Sequence, residues 1–398
     1  MEGKMDDTAK TGKTLLYALL PVLFCYLTMG FVDVVGIATN YVQKDLSLTD
    51  SQANIFPSLV FFWFLIFSIP SSLLMNKIGR RSTVLLSVAV TLVSIIIPLF
   101  GDSYGVMLVA FSLLGIGNAI MQTSLNPLAS NVVPGDKLPS ALTFGQFIKA
   151  IASFFGPLLC AWGAANALPN FGYGWRAVFI VYAIAGAVAF IWLLATPVPR
   201  EKSDKVSGFK ECLILLAKPL ALFSFIGIMC HVGIDVGTNT SAPRILMERC
   251  GLALEEAGYA TSVYFICRTI GSLVGAGLLQ KMSAKILFLI SAIMLACGLC
   301  GCLFLHSIYG LYVSVALLGL GNSNVFPLIL SQCLLRMPTE ANEVSGLMVM
   351  GLFGGTVFPL IMGFASEMFM SQNGAIVVML VAAVYLIGYT KIMQTENV

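Results

Sequence analysis

Apolar residues run along this chain in long blocks separated by short polar breaks. They do not alternate as on a half-buried strand, nor do they stripe one face as on a surface helix. Splitting at charged or turn-rich breaks gives blocks near 14–43, 51–75, 82–100, 104–133, 139–165 and 174–196, then near 219–247, 255–280, 284–304, 308–336, 341–368 and 373–393. Rising about 1.5 Å per residue, each can cross a hydrocarbon core roughly 30 Å thick, often with tilt. The pattern predicts an all-α membrane protein of twelve transmembrane helices. The first block is too long for a signal-peptide core, has no small-residue cleavage site after a short run, and reads as a retained first span.

The second set of six blocks repeats the first. GFVD, ending at Asp33, returns as VGID, ending at Asp235, 202 positions later. LLGIGN, ending at Asn118, returns as LLGLGN, ending at Asn322, 204 positions later. LLMNKIGRR around Lys77 is echoed by LLQKMSAK around Lys281, and FGPLL at 155–159 by VFPLI at 357–361. Four echoes in one order at nearly one offset indicate a parallel duplication of a six-helix unit. The expected domains are an N-terminal bundle over 1–196, a polar cytoplasmic linker over 197–218 and a C-terminal bundle over 219–398.

Composition removes the soluble alternatives. The chain is 58% hydrophobic and 10% charged, with a mean hydropathy of +0.92, whereas soluble domains carry about a quarter charged residues. A net charge of +3 gives no reason to expect a nucleic-acid partner. Of the 22 lysines and arginines, sixteen fall on the N-terminal side of the bilayer, four (Lys44, Arg176, Arg244, Arg249) on the other, and two inside spans. That bias places both termini in the cytoplasm of a cell with this protein in its inner membrane. The ten cysteines sit mostly in apolar runs without zinc-type spacing and read as packing residues. No P-loop, His/Cys cluster or Ser-His-Asp spacing supports an ATPase, metal site or hydrolase, so neither enzyme activity nor a cofactor is expected.

The loop after the second block, SLLMNKIGRR from Ser72 to Arg81, resembles the G-x-x-x-D-R/K-x-G-R/K-R/K signature of the major facilitator superfamily, with Ser72 for Gly and Asn76 for Asp. Lys77, Arg80 and Arg81 are gating or structural residues on that resemblance, and positive-inside anchors on composition alone. QTSLNP at 122–127, Gln146-x-x-Lys149, VGID at 232–235 and RTIG at 268–271 are similar to segments of the fucose and glucose/galactose proton symporters. That resemblance implies a major facilitator fold of two pseudo-symmetric bundles, a proton-linked acid at Asp33 and a sugar-contacting Gln146. Two positions depart from it. The family's Glu in span 4 falls at Gln122 and its Asn in span 5 at Lys149, bearing on coupling and on substrate charge.

The residues themselves point the same way. Ionisable groups inside a span cost roughly 2.5–3.5 kcal/mol each on insertion scales, so they face water cavities or pair with one another. Four stand out: Asp33, Lys149, Asp235 and Arg268. Asp33 is a proton carrier, a hydroxyl acceptor or a structural partner of Lys149. Asn118, Gln122 and Asn126 recur every four residues as one amide stripe, suited to sugar hydroxyls or to interhelical bonds. Gln146 and Lys149 share a face of span 5. His231 and Asp235, one turn apart, form a candidate proton relay with Asn239 a turn beyond. Asn322 and Asn324 extend the polar set, and Arg268, a turn after Tyr264, takes a structural or gating role through Asp235. Prolines 127, 157, 327 and 359 are expected to kink their spans.

The expected function is secondary active, proton-coupled uptake of a monosaccharide-like solute by alternating access in a monomer. The partners are that solute, protons and the bilayer. Uptake of an anionic sugar acid such as a hexuronate or sialic acid, drug efflux, and a nutrient sensor that binds without translocating are the alternatives.

Overall fold

A computed structural model describes residues 17–48, 52, 55–164, 172–198, 208–252, 254–257 and 259–394 of the chain. The N-terminal cations Lys4, Lys10 and Lys13, and the linker cations Arg200, Lys202 and Lys205, lie outside the described residues. Every regular element among the described residues is helical.

Among the described residues, eleven helices are long and apolar enough to cross a membrane: α1 (Tyr17–Asp45), α2 (Ile55–Ile78), α3 (Arg80–Phe100), α4 (Tyr104–Val132), α5 (Gly135–Ala164), α6 (Gly174–Ala195), α7 (Pro219–Cys250), α8 (Tyr259–Leu278), α9 (Ala284–Phe304), α10 (Ile308–Arg336) and α11 (Pro338–Phe369). The apolar helix α12 (Asn373–Tyr389) completes the twelve. Their outer faces carry exposed large side chains such as Ile184, Ile191, Leu360, Phe364 and Val381. Such surfaces suit lipid, where the backbone must be satisfied inside each helix.

Helix ends follow local chemistry. Ser103, Ser283 and Ser307 cap α4, α9 and α10 by accepting a backbone N–H. Pro219 opens α7 at its first turn, where no N–H is needed. Gly79 turns the chain between α2 and α3 at φ 86°, a conformation most side chains avoid.

Three spans are interrupted. α1 tightens into a 3-10 turn over Gly30–Asp33, α11 does so over Gly351–Phe353, and α10 breaks at Ser323–Asn324 just before Pro327. Pro127, Pro157 and Pro359 lie within α4, α5 and α11. Such breaks inside apolar helices mark hinges or sites.

The chain groups into two compact units. One holds Met1–Gly135, Ile148–Cys212 and Glu340–Met350; the other holds Asp136–Phe147, Leu213–Thr339 and Gly351–Val398. The first turns of α5 thus count with the second unit, and the first turns of α11 with the first.

Candidate functional site

In the first unit, the 3-10 turn carries Asp33 at its last position. Its Oδ2 accepts the Ser153 hydroxyl at 2.5 Å and faces the Lys149 ammonium at 3.7 Å, both from α5. The Asp33 side chain is 39% accessible and that of Lys149 19%, so helix packing does not seal the pair. Gly30 makes the approach possible. A Cβ there would stand 2.4 Å from the Lys149 carbonyl oxygen and 2.8 Å from the Ala152 Cβ. Tyr182 of α6 steadies the same stretch by donating to the Ala152 carbonyl at 2.7 Å and stacking on Phe31.

The span-4 amides lie buried against α1. Gln122 Nε2 donates to Asn118 Oδ1 at 2.7 Å, and Asn118 Nδ2 donates to the Met29 carbonyl at 2.7 Å. Asn126 Nδ2 donates to the Gln122 carbonyl, and its Oδ1 accepts the Tyr26 hydroxyl at 2.9 Å. The stripe therefore braces α1 just before the turn that ends at Asp33.

A second cluster in this unit joins the first turns of α11 to α2, α3 and α4. Asn76 Nδ2 donates to Glu343 Oε1 at 2.6 Å, and Asn342 Nδ2 donates to Asn76 Oδ1 at 2.6 Å. The buried Arg80 guanidinium donates to Asn342 Oδ1 at 2.7 Å, Asn131 Oδ1 at 2.5 Å and the Pro127 carbonyl at 3.0 Å. Arg81 donates to the carbonyls of Leu193 and Leu194, and Lys77 is exposed. Pro127 has no N–H, which frees the Thr123 carbonyl one turn back. Ser345 donates to that oxygen at 2.6 Å. The short helix Phe209–Ile214 adds Cys212, whose Sγ lies 3.8 Å from the Ser72 hydroxyl. Burial raises the Cys212 thiol pKa above its ordinary value.

In the second unit, Asp235 is the terminus of a donor chain. His231 Nδ1 lies 2.8 Å from Asn322 Oδ1, Asn322 Nδ2 donates to the Tyr264 hydroxyl at 2.8 Å, and that hydroxyl donates to Asp235 Oδ1 at 2.6 Å. Because Asn322 spends its amide N–H on Tyr264, its oxygen accepts, which makes His231 Nδ1 the donor. Arg268 NH1 reaches both Asp235 oxygens, at 2.9 and 2.8 Å. The pair ties α7 to α8. Asn239 Nδ2 donates to the Asp235 carbonyl, and Asn324 Nδ2 to the Ser323 hydroxyl.

Four buried polar atoms of this unit have no hydrogen-bond partner among the described residues: Thr143 Oγ1, Gln146 Nε2, Asn239 Oδ1 and Asn324 Oδ1. Interiors rarely leave such groups unmet, and each is a place for water or a polar solute. The described residues contain no group of His, Cys, Asp and Glu fit to hold a metal.

Sequence reasoning passed over Ser153, Tyr26, Glu343, Asn342 and Ser345. Glu343 carried a usable signal, an acid just inside an apolar block. The serines did not, because Ser is ordinary in membrane helices.

The comparisons agree with this architecture. The sequence profile of the Major Facilitator Superfamily matches residues 19–358 and again 224–396. A glucose/galactose transporter of Brucella abortus (strain 9-941) is 23% identical over 364 residues, 88% of each chain. The L-fucose-proton symporter of Escherichia coli K12 is 24% identical over 385 residues, 88% of this chain and 86% of that one. The crystal structure of FucP in the outward conformation superposes with a TM-score of 0.82 at 18% identity, covering 95% of this chain and 100% of that one. The chain is a multi-pass membrane transporter, not an enzyme, and belongs to the Major Facilitator Superfamily.

Proposed function

We propose that this protein takes up a monosaccharide-like solute together with protons, with Asp33 as the proton carrier. The observation that carries the reading is the Asp33 carboxylate itself. It is accessible, sits at the end of a 3-10 turn inside a membrane span, and has one hydroxyl donor and one cation at arm's length. A carboxyl that can be neutralised by a proton changes its charge without moving the backbone, and this gives a helix with a hinge beside it two states to choose between. Relatives named for glucose/galactose transport and for fucose–proton symport support the substrate class and the coupling ion.

Asp235 suits this task less well, since a tyrosine hydroxyl and a guanidinium both donate to it. We assign Asp235, Arg268, Tyr264, Asn322 and His231 to holding α7, α8 and α10 in register. We assign Asn118, Gln122 and Asn126 to positioning Asp33. The unmet atoms of Gln146, Asn239 and Asn324, all in the second unit, are assigned to water or a polar group within that unit. The inner membrane, with both termini cytoplasmic, is the location assigned by charge bias.

The test is uptake into proteoliposomes holding a pH-sensitive dye, with an imposed inward proton gradient and a panel of hexoses, deoxyhexoses and sugar acids. Solute accumulation matched by lumen acidification is expected for at least one panel member. Accumulation unaffected by collapsing the proton gradient would remove the coupling, and no uptake of any panel member would remove the substrate class.

A further inference from the structure

We propose that the Lys149 ammonium is a docking point for a carboxylate on the solute, so that the transported substrate is a singly charged sugar acid. The inference rests on the proton-coupled uptake reading above and narrows its substrate.

Asp33 and Asp235 are held very differently. Asp235 is met by Arg268 at 2.8 and 2.9 Å and by Tyr264 at 2.6 Å. Asp33 lies 3.7 Å from Lys149, beyond hydrogen-bond length, and its close contact is the neutral Ser153 hydroxyl. The Lys149 ammonium therefore has its charge balanced but makes no hydrogen bond to Asp33. Ser153 lets the Asp33 carboxyl keep a partner when Lys149 turns to another. Both side chains are accessible, unlike those of the bracing amides on α4.

Charge counting selects the ligand. Formally, Asp33 and Lys149 cancel, as do Asp235 and Arg268. When Asp33 takes up a proton on its carboxylate oxygen, the set gains one positive charge, now located on Lys149. A bare ammonium within a span is costly. One solute carboxylate restores neutrality and supplies the hydrogen-bond acceptor that Lys149 lacks from Asp33. A neutral hexose can offer Lys149 a hydroxyl oxygen but leaves the charge unbalanced, and a dicarboxylate overshoots. In the empty protein Asp33 stands where the solute carboxylate goes. Proton and substrate then load together, because each removes the cost the other creates. One proton and one monoanion cross with no net charge.

The experiment compares sugars that differ only at C6, D-glucuronate with D-glucose and D-galacturonate with D-galactose, on the purified full-length protein. Binding is read by thermal shift, and transport in proteoliposomes with the voltage clamped by potassium and valinomycin. The wild type should bind a uronate and not its hexose, and uronate uptake should be proton-dependent yet insensitive to voltage. Lys149→Asn should weaken uronate binding about 30-fold or more, and Lys149→Arg should restore most of it. Hexose symport with voltage-driven uptake, or uronate binding unchanged in Lys149→Asn, overturns the inference while leaving proton-coupled uptake standing. Absence of proton movement with either sugar class sinks both. The wild-type voltage arm decides the matter even if the variants fail to fold.

Discussion

Lys149 Nζ lies 3.7 Å from Asp33 Oδ2, whereas its counterpart pair in the second half of the sequence closes to 2.8 Å between Arg268 NH1 and Asp235 Oδ2. The two aspartates are 202 positions apart in repeated segments, yet their cations come from non-equivalent helices, α5 in one case and α8 in the other. Duplication supplied two equivalent acids. Only one of them is loosely held, and that asymmetry underlies the assignment of proton traffic to Asp33.

The tight pair is expected to be structural. Arg268→Gln leaves Asp235 without its cation, a change that costs about 3–5 kcal/mol in a fully buried pair and less at this partly accessible one. Removing the charge from both, in Asp235→Asn with Arg268→Gln, should recover part of the loss. Thermal unfolding of the two singles and the double, read as a double-mutant cycle, checks this. Fully additive losses would show that the pair is not coupled.

Gly30 should tolerate no side chain. In Gly30→Ala the new Cβ meets the Lys149 carbonyl oxygen at 2.4 Å and the Ala152 Cβ at 2.8 Å, so α1 must move off α5. Overpacking of this kind costs about 1–3 kcal/mol. The expected outcome is a lowered melting temperature together with reduced transport. An unchanged melting temperature would mean that α1 and α5 do not approach this closely.

Much of this was legible in the sequence. Block lengths located all twelve helices, because a bilayer dictates length and apolarity more strictly than any soluble core does. Asp33, Lys149, Asp235 and Arg268 stood out because charge inside a span is rare. Their pairing was only half visible. Lys149 was weighed as a partner of Asp33, but spacing along a helix says nothing about whether a 3.7 Å contact or a tight one results. The amide stripe of Asn118, Gln122 and Asn126 was visible as a face, while the neighbour that face meets, Tyr26 and Met29 of α1, is a tertiary fact. Ser345 was invisible for the same reason. Its partner is a carbonyl freed by Pro127, more than two hundred residues earlier.

That contact makes its own prediction. Ser345→Ala should leave the Thr123 carbonyl without the donor that Pro127 cannot supply, at a cost of about 1–3 kcal/mol. Ser345→Thr keeps the hydroxyl and should sit closer to wild type in thermal unfolding. Equal melting temperatures for Ser345→Ala and wild type would mean that water or another group already serves that oxygen.

Orientation is open to chemical labelling. In a variant stripped of native cysteines, Asp136→Cys should react with an impermeant maleimide only after the cytoplasmic face is exposed, and Asp102→Cys should react in intact cells. Both positions are exposed, Asp136 in the first turn of α5 and Asp102 in the loop between α3 and α4. The reverse pattern would invert the topology drawn from the lysines and arginines.

The most direct measurement on the central claim is transport by Asp33→Asn, assayed in two modes on the same proteoliposomes. Asn cannot release a proton and so mimics the loaded state permanently. Labelled substrate should still exchange in counterflow, while accumulation against a gradient and lumen acidification should both disappear. If Asp33→Asn still concentrates substrate and still carries protons inward, Asp33 is not the proton carrier.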